Sequence, residues 1–290
     1  MTTVMRVLDI RATLGEGPVW CPRDQVLYWV DILSQTVNRF DPGSGANRVW
    51  RVPDLVGSMA LREGGGAILA LRHGFAFLNF ETGNVKPAAA PDDIGADMRF
   101  NDGKCDRRGR FFAGTMHNPE TAALGKLYRL DADGTLQVVE DGIVTSNGLG
   151  WSPDDAVFYY TDTMAHAIHA YDYDVEAGTL SNRRLFAEVP HDAGRPDGLT
   201  VDSQGYVWGT HWEGWRVTRY APDGAVDKVI DMPVARPTSC GFGGRDLSTL
   251  YITSAAMDGI FPVGEREPQA GSIFAVPCEV AGLPEPRFAG

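Results

Sequence analysis

The sequence predicts an all-β chain folded as a six-bladed β-propeller that occupies residues 1–290 as a single domain. Two patterns predict it. Strand-like runs recur at a nearly constant interval, and an orphan strand at the amino-terminus matches a strand missing at the other end. The apolar residues come in short runs such as VLYWV, AILAL and VFYY, too short to cross a bilayer as a helix.

The recurring runs are VLYWVDI from Val26, AILALRH from Ala67, GRFFAGT from Gly109, VFYYTDT from Val157, YVWGTHW from Tyr206 and TLYITSA from Thr249. They are rich in the β-branched and aromatic residues that suit a pleated, half-buried surface. With Tyr28, Leu69, Phe112, Tyr159, Trp208 and Tyr251 taken as equivalent, the intervals are 41, 43, 47, 49 and 43 residues. That is the length of a four-stranded propeller blade. Apolar positions running into an Asp/Pro/Gly cluster follow most runs, as in VNRFDPGSG, AFLNFETG, LYRLDADG, HAYDYDVEAG and TRYAPDG, and these are hairpin signals. Two packed β-sandwich sheets are the alternative architecture, and the regular period counts against it.

At the ends, VMRVLDI (residues 4–10) resembles VWRVPDL (residues 49–55), which finishes the first repeat. The amino-terminus therefore carries a final strand with no repeat before it, and the sixth repeat, running out in EVAGLPEPRFAG, is one strand short. Pairing the orphan strand into the last blade closes the ring and removes its open edges.

A formal net charge of −12 and the absence of a Lys/Arg cluster disfavour nucleic acid and anionic membrane surfaces as partners. A small molecule that is not strongly anionic is the expected partner, and a monomer the expected state. The start MTTVMRVLDIRATLGEG has charges inside its only apolar stretch and no small-residue cleavage site, so a cytoplasmic location is expected. Cys21, Cys105, Cys240 and Cys278 are scattered and read as reduced, structural thiols.

Equivalent strands imply equivalent positions before them. Counting back 12 from Tyr28, Leu69, Tyr159 and Tyr251, and 11 from Phe112 and Trp208, gives Glu16, Gly57, Asn147, Ser239, Asn101 and Asp197. Four of these six carry a Glu, Asn or Asp side chain, in the contexts LGEGPVW, RFNDGK, SNGLGW and RPDGLT. The first strand of each blade lines the central channel, so these oxygen donors converge on one axis. Carboxylates and amide carbonyls aimed into a common space suit a divalent cation such as Ca²⁺, Mn²⁺ or Fe²⁺, with Zn²⁺ admissible. Asn-Gly and Asp-Gly pairs are also ordinary turn formers, which is the competing account of the same residues.

The segments LGEGPVW, RFNDGKCDRRGRFFAGTM, SNGLGWSPDD and RPDGLTVD, in this order, resemble the family of senescence marker protein (regucalcin), gluconolactonase and luciferin-regenerating enzyme. The resemblance spans nearly the whole chain. It implies a propeller with one divalent metal and, in many members, hydrolysis of an aldonolactone. A bacterial pentonolactonase such as a xylonolactonase is the closest likeness. A gluconolactonase, a non-catalytic calcium-binding propeller and a phosphotriesterase-like activity are the other readings. Carried onto this sequence, the metal ligands fall on Glu16, Asn147 and Asp197, with Asp197 also the expected general base. Substrate contacts fall on Arg99 and Asn101. A further acidic contact found after the G-T-M segment in animal members aligns with Pro119, leaving the adjacent Glu120 as its expected replacement.

Of the histidines, His117 in GTMHNPE, and His211 with its neighbour Trp212, are expected to face the pocket; His166 and His169 are read as structural or surface residues around a hairpin. No H-E-x-x-H, G-x-S-x-G, Walker-type loop or dinucleotide fingerprint is present, so a His-ligated zinc enzyme, a serine hydrolase, a nucleotide-dependent enzyme and a dehydrogenase lack support.

Overall fold

A computed structural model describes residues 3–92, 94–258, 260 and 267–290. They form six antiparallel four-stranded sheets. The innermost strands are Gly15–Cys21, Val56–Leu61, Met98–Cys105, Ser146–Trp151, Arg195–Val201 and Pro237–Gly243, one for each of blades 1 to 6. Each packs against the next, and blade 6 returns to blade 1, so the ring is closed. The recurring aromatic runs are the second strands of the blades, as the period predicted.

Closure uses the amino-terminal strand. Met5–Leu8 pairs antiparallel with Ile273–Pro277 and completes the sheet of blade 6, which would otherwise expose an edge. Trp20 of blade 1 stacks on Tyr251 of blade 6, with ring centroids 5.4 Å apart. The core lies between adjacent blades: Ala60, Ile68 and Phe75 of blade 2, for example, meet Phe100, Phe111 and Tyr128 of blade 3. All four cysteines are free thiols, three of them buried.

The innermost strands share a local irregularity. In each, the ladder to the second strand slips at or beside the position predicted to face the axis: Glu16, Gly57, Asn101, Asn147, Asp197 and, in blade 6, the pair Thr238–Ser239. A bulge leaves a residue without a ladder partner and re-aims its side chain. Register corrects one equivalence. Pro196 pairs with His211 and Pro237 with Ser254, so Thr238, not Ser239, is the counterpart of Asp197. The fixed count of 12 fails there because the turn in blade 6 is one residue longer than the count assumes.

The other end of the channel is crossed by residues 281–290. Phe288 is buried in the core between blades 2 and 3, and its amide donates to the Leu61 carbonyl at 2.8 Å. Ala289 N donates to Gly109 O, and Ser203 N donates to Ala281 O. Glu285 pairs with Lys104 of the blade 3 inner strand at 3.1 Å.

Candidate active site and metal centre

At the opposite mouth the inner strands surround a cavity of about 330 Å³. Glu16, Asn147 and Asp197, from blades 1, 4 and 5, all line it and are each nearly inaccessible to solvent. The glycines after the last two are not turn residues. A Cβ on Gly148 would lie 2.3 Å from the Leu199 amide nitrogen and 2.7 Å from the Asp197 carbonyl; one on Gly198 would meet the Ser239 side chain. Asn-Gly and Asp-Gly here allow inner strands of adjacent blades to touch, which answers the turn-former account.

The polar groups of these three residues are incompletely satisfied by protein. Asn147 Nδ2 donates to Thr163 Oγ1 at 3.1 Å, while the buried Asn147 Oδ1 has no hydrogen-bond partner among the described residues. Among the described residues Glu16 Oε2 accepts only the Gly17 amide, at 3.0 Å. Burial raises the Glu16 carboxyl well above its usual range, and repulsion from Asp197 and Asp102 adds to this. Asp197 is raised likewise, by burial first and Asp102 second. Two buried carboxylates that repel, beside an orphaned amide oxygen, are a costly arrangement for the protein alone. A hard divalent cation accepting these oxygens relieves both costs, so the residues fit the metal that the sequence implied. Among the described residues no three His, Cys, Asp or Glu side chains gather into a metal-binding group; the set is completed by the amide.

The blade 3 wall carries the predicted substrate contacts. Arg99 is buried; Nη1 donates to Asn101 Oδ1 at 2.6 Å and Nε to Asn118 Oδ1 at 3.2 Å. Burial lowers the guanidinium to about 10 against the pull of Glu120, Glu16 and Asp197, so it stays charged at neutral pH. Asn101 Nδ2 donates to the Ser146 carbonyl at 2.8 Å, so this residue clamps Arg99 to the next blade. Glu120 lines the cavity and accepts a hydrogen bond from Thr145 Oγ1 at 3.0 Å. Its φ of 55° is the left-handed region, uncommon for a residue with a Cβ.

Two histidine expectations are corrected. His117 does not line the cavity; its ring meets Thr121 instead, and its neighbours Met116 and Asn118 face inward. His211 is buried away from the cavity, with Nδ1 at 2.9 Å from the Ala193 carbonyl and Nε2 at 3.1 Å from Tyr220 Oη, whereas Trp212 does line it. In both places side-chain alternation along the strand sends neighbours to opposite faces. Sequence reasoning missed Asn118, Arg195 and Glu213, which lie outside the repeat-equivalent positions, and it missed the apolar side formed by Leu14, Leu33, Met257 and Ile260. Alternation carried one step past the blade 3 second strand, from Met116, reaches Asn118.

Comparison with known proteins is consistent across the whole chain. The pattern of the SMP-30/Gluconolactonase/LRE-like region matches residues 14–256. The chain is 42% identical over 290 residues to a 6-deoxy-6-sulfogluconolactonase of Pseudomonas putida, covering 99% of both proteins. It is 39% identical to a pentonolactonase of Haloferax volcanii, covering 98% of each. Among solved structures, a calcium-binding protein, regucalcin, from Agrobacterium tumefaciens superposes with a TM-score of 0.93 at 25% identity, over 99% of this chain and 97% of that one.

Proposed function

The chain belongs to the SMP-30/gluconolactonase/LRE-like family, and from that premise we propose that it is a metal-dependent lactonase that opens a sugar lactone to the aldonic acid. The observation that carries this reading is the orphaned Asn147 oxygen beside two mutually repelling buried carboxylates, with a charged arginine on the facing wall. A pentonolactone such as xylonolactone is the proposed substrate, supported by the full-length similarity to a pentonolactonase.

Glu16, Asn147 and Asp197 would hold the divalent cation, which when bound supplies Lewis acidity at the lactone carbonyl. Arg99 offers hydrogen bonds to the lactone oxygens, where negative charge develops as the carbonyl is attacked. Asn101 and Asn118 accept from two of its nitrogens, so the guanidinium is held before substrate arrives. Asp197 is the candidate to take a proton from the attacking water, and the Leu14, Leu33, Met257 and Ile260 side excludes bulk solvent. The cleaved ring oxygen stays tethered to the product and takes up a proton.

Titration of acid release from xylono-, arabinono- and gluconolactones, with and without chelator, tests the reading. Metal-dependent turnover of a pentonolactone is expected. Faster turnover of gluconolactone would make it a gluconolactonase, and calcium binding without turnover of any lactone would leave a non-catalytic propeller. Arg99→Ala should raise KM or lower kcat/KM with metal content retained.

A further inference from the structure

The cavity has a second polar wall that the proposed chemistry does not use. On blade 5, Arg195 lies beside Trp212 across the ladder, two residues before Asp197, and both line the cavity together with Glu213. Among the described residues Arg195 makes one side-chain polar contact, Nη2 to Glu213 Oε2 at 3.5 Å, and both side chains are about two-fifths exposed, at 37% and 41%. Nε and Nη1 of Arg195 have no hydrogen bond among the described residues. Glu213 is held more firmly: Oε1 accepts from Arg236 at 3.3 Å, and the Arg236 guanidinium lies 5.4 Å from the Trp212 ring centroid. Glu213 has a φ of 58° and Trp215 a φ of 56°, on either side of Gly214, in a turn whose amides are pinned to His211 and Ala235. A left-handed residue at a cavity wall costs stability and persists where its neighbours fix it.

Among the described residues, the other polar lining groups stand at the reacting end, with Asn118 and Glu120 beside Arg99 on the blade 3 wall. Leu14, Leu33, Met257 and Ile260 are apolar. Thr145 donates to Glu120 and Thr163 accepts from Asn147, so the blade 4 hydroxyls are engaged. Arg99 and Asn101 are committed to the reacting end of the substrate.

We infer that Arg195, Glu213 and Trp212 form a specificity subsite that binds the exocyclic hydroxyl groups of the lactone. The inference rests on the lactonase reading. Arg195 donates to a hydroxyl, Glu213 accepts from one, and Trp212 gives the carbon face of the sugar an apolar surface. A weak ion pair of this kind is opened by an inserted hydroxyl at small cost, because both groups are already partly hydrated. Hydrogen bonds to charged groups are strong enough to discriminate by about tenfold to a hundredfold.

The test is a cycle between residue and substrate substituent. Wild type, Arg195→Met and Glu213→Gln are assayed with 1,4-lactones of a tetronic, a pentonic and a hexonic acid, which carry zero, one and two exocyclic carbons. In wild type, kcat/KM should be higher for the pentonolactone than for the tail-less tetronolactone, with the hexonolactone no better than the pentonolactone. In each variant the ratio of kcat/KM between the best tailed lactone and the tail-less one should fall at least tenfold, carried by KM, and Arg195→Lys should restore part of it. An equal loss on all three lactones, a loss carried by kcat alone, or a wild type indifferent to the tail overturns the subsite and leaves the lactonase reading standing. Absence of hydrolysis of every lactone, including the tail-less one, defeats both.

Discussion

Asp197 concentrates the conflict between stability and function in one side chain. Buried, facing Asp102 and repelling Glu16, it has a folded value far above its unfolded one. A carboxyl so placed costs stability that grows as pH rises through that range, because the unfolded chain binds fewer protons there. Asp197→Asn removes that cost in the metal-free protein. Its Tm without metal should rise, while metal affinity and turnover fall; thermal melts with and without chelator, alongside the titration assay, read both sides of the exchange. His211 has the opposite sign. Burial lowers it to about 4, and its contacts define a neutral ring that donates from Nδ1 to Ala193 and accepts at Nε2 from Tyr220. The unfolded chain binds the extra proton first, so this contribution is present above about 6.5, and about 3 kcal/mol is lost as pH falls to about 4. Asp102, raised by burial to about 6, pulls the other way across part of that window, so the comparison must be variant minus wild type. His211→Phe should cost about 1–3 kcal/mol at neutral pH through its lost hydrogen bonds and flatten the acid-side decline. Denaturant titrations at a series of pH values measure the difference.

The bulged inner strand is the element that makes a site out of a repeat. Its position was legible because the aromatic second strand recurs, and because Glu16, Asn101, Asn147 and Asp197 stand 11 or 12 residues before its central aromatic. What the spacing hid was which face each neighbour takes. Alternation puts Asn118 rather than His117 at the cavity and Trp212 rather than His211, and a one-residue difference in the blade 6 turn moves the counterpart of Asp197 to Thr238. The periodicity carries strand order more firmly than register, since one extra residue reverses every side chain beyond it. Two glycines on one inner strand show what the bulge demands. A Cβ on Gly148 would meet backbone atoms of Asp197 and Leu199, which cannot yield without moving a candidate ligand. A Cβ on Gly150 would instead meet Leu199 Cδ1 and Val201 Cγ2 at 3.1 Å, side-chain ends that can shift. Gly148→Ala should destabilise by about 1–3 kcal/mol and weaken metal binding, whereas Gly150→Ala should keep wild-type metal affinity at a smaller stability cost. Metal titration by calorimetry on both variants separates strain at the site from strain in the strand.

Across the whole molecule the two chain ends do different work. The amino-terminal strand seals blade 6, a role the missing sixth-repeat strand announced in the sequence. The carboxy-terminal residues 281–290 seal the channel, and nothing in the repeat announced that, because this segment belongs to no blade. Its anchor is the Lys104–Glu285 pair, 19% and 11% exposed, in which Lys104 also neutralises part of the field of Asp102. Removing one partner of such a pair leaves an uncompensated buried charge, a loss of about 3–5 kcal/mol, whereas replacing both by apolar residues of similar size is often nearly neutral. Glu285→Ala should therefore lower the denaturation midpoint sharply with an unchanged denaturant slope, and Lys104→Met with Glu285→Leu should recover most of the loss. If the double variant is as unstable as the single one, the tail is held by its backbone and Phe288 contacts, and the ion pair is incidental. Recovery would show that the closed far end depends on charge pairing, and that the channel is kept single-mouthed by a segment outside the propeller repeat.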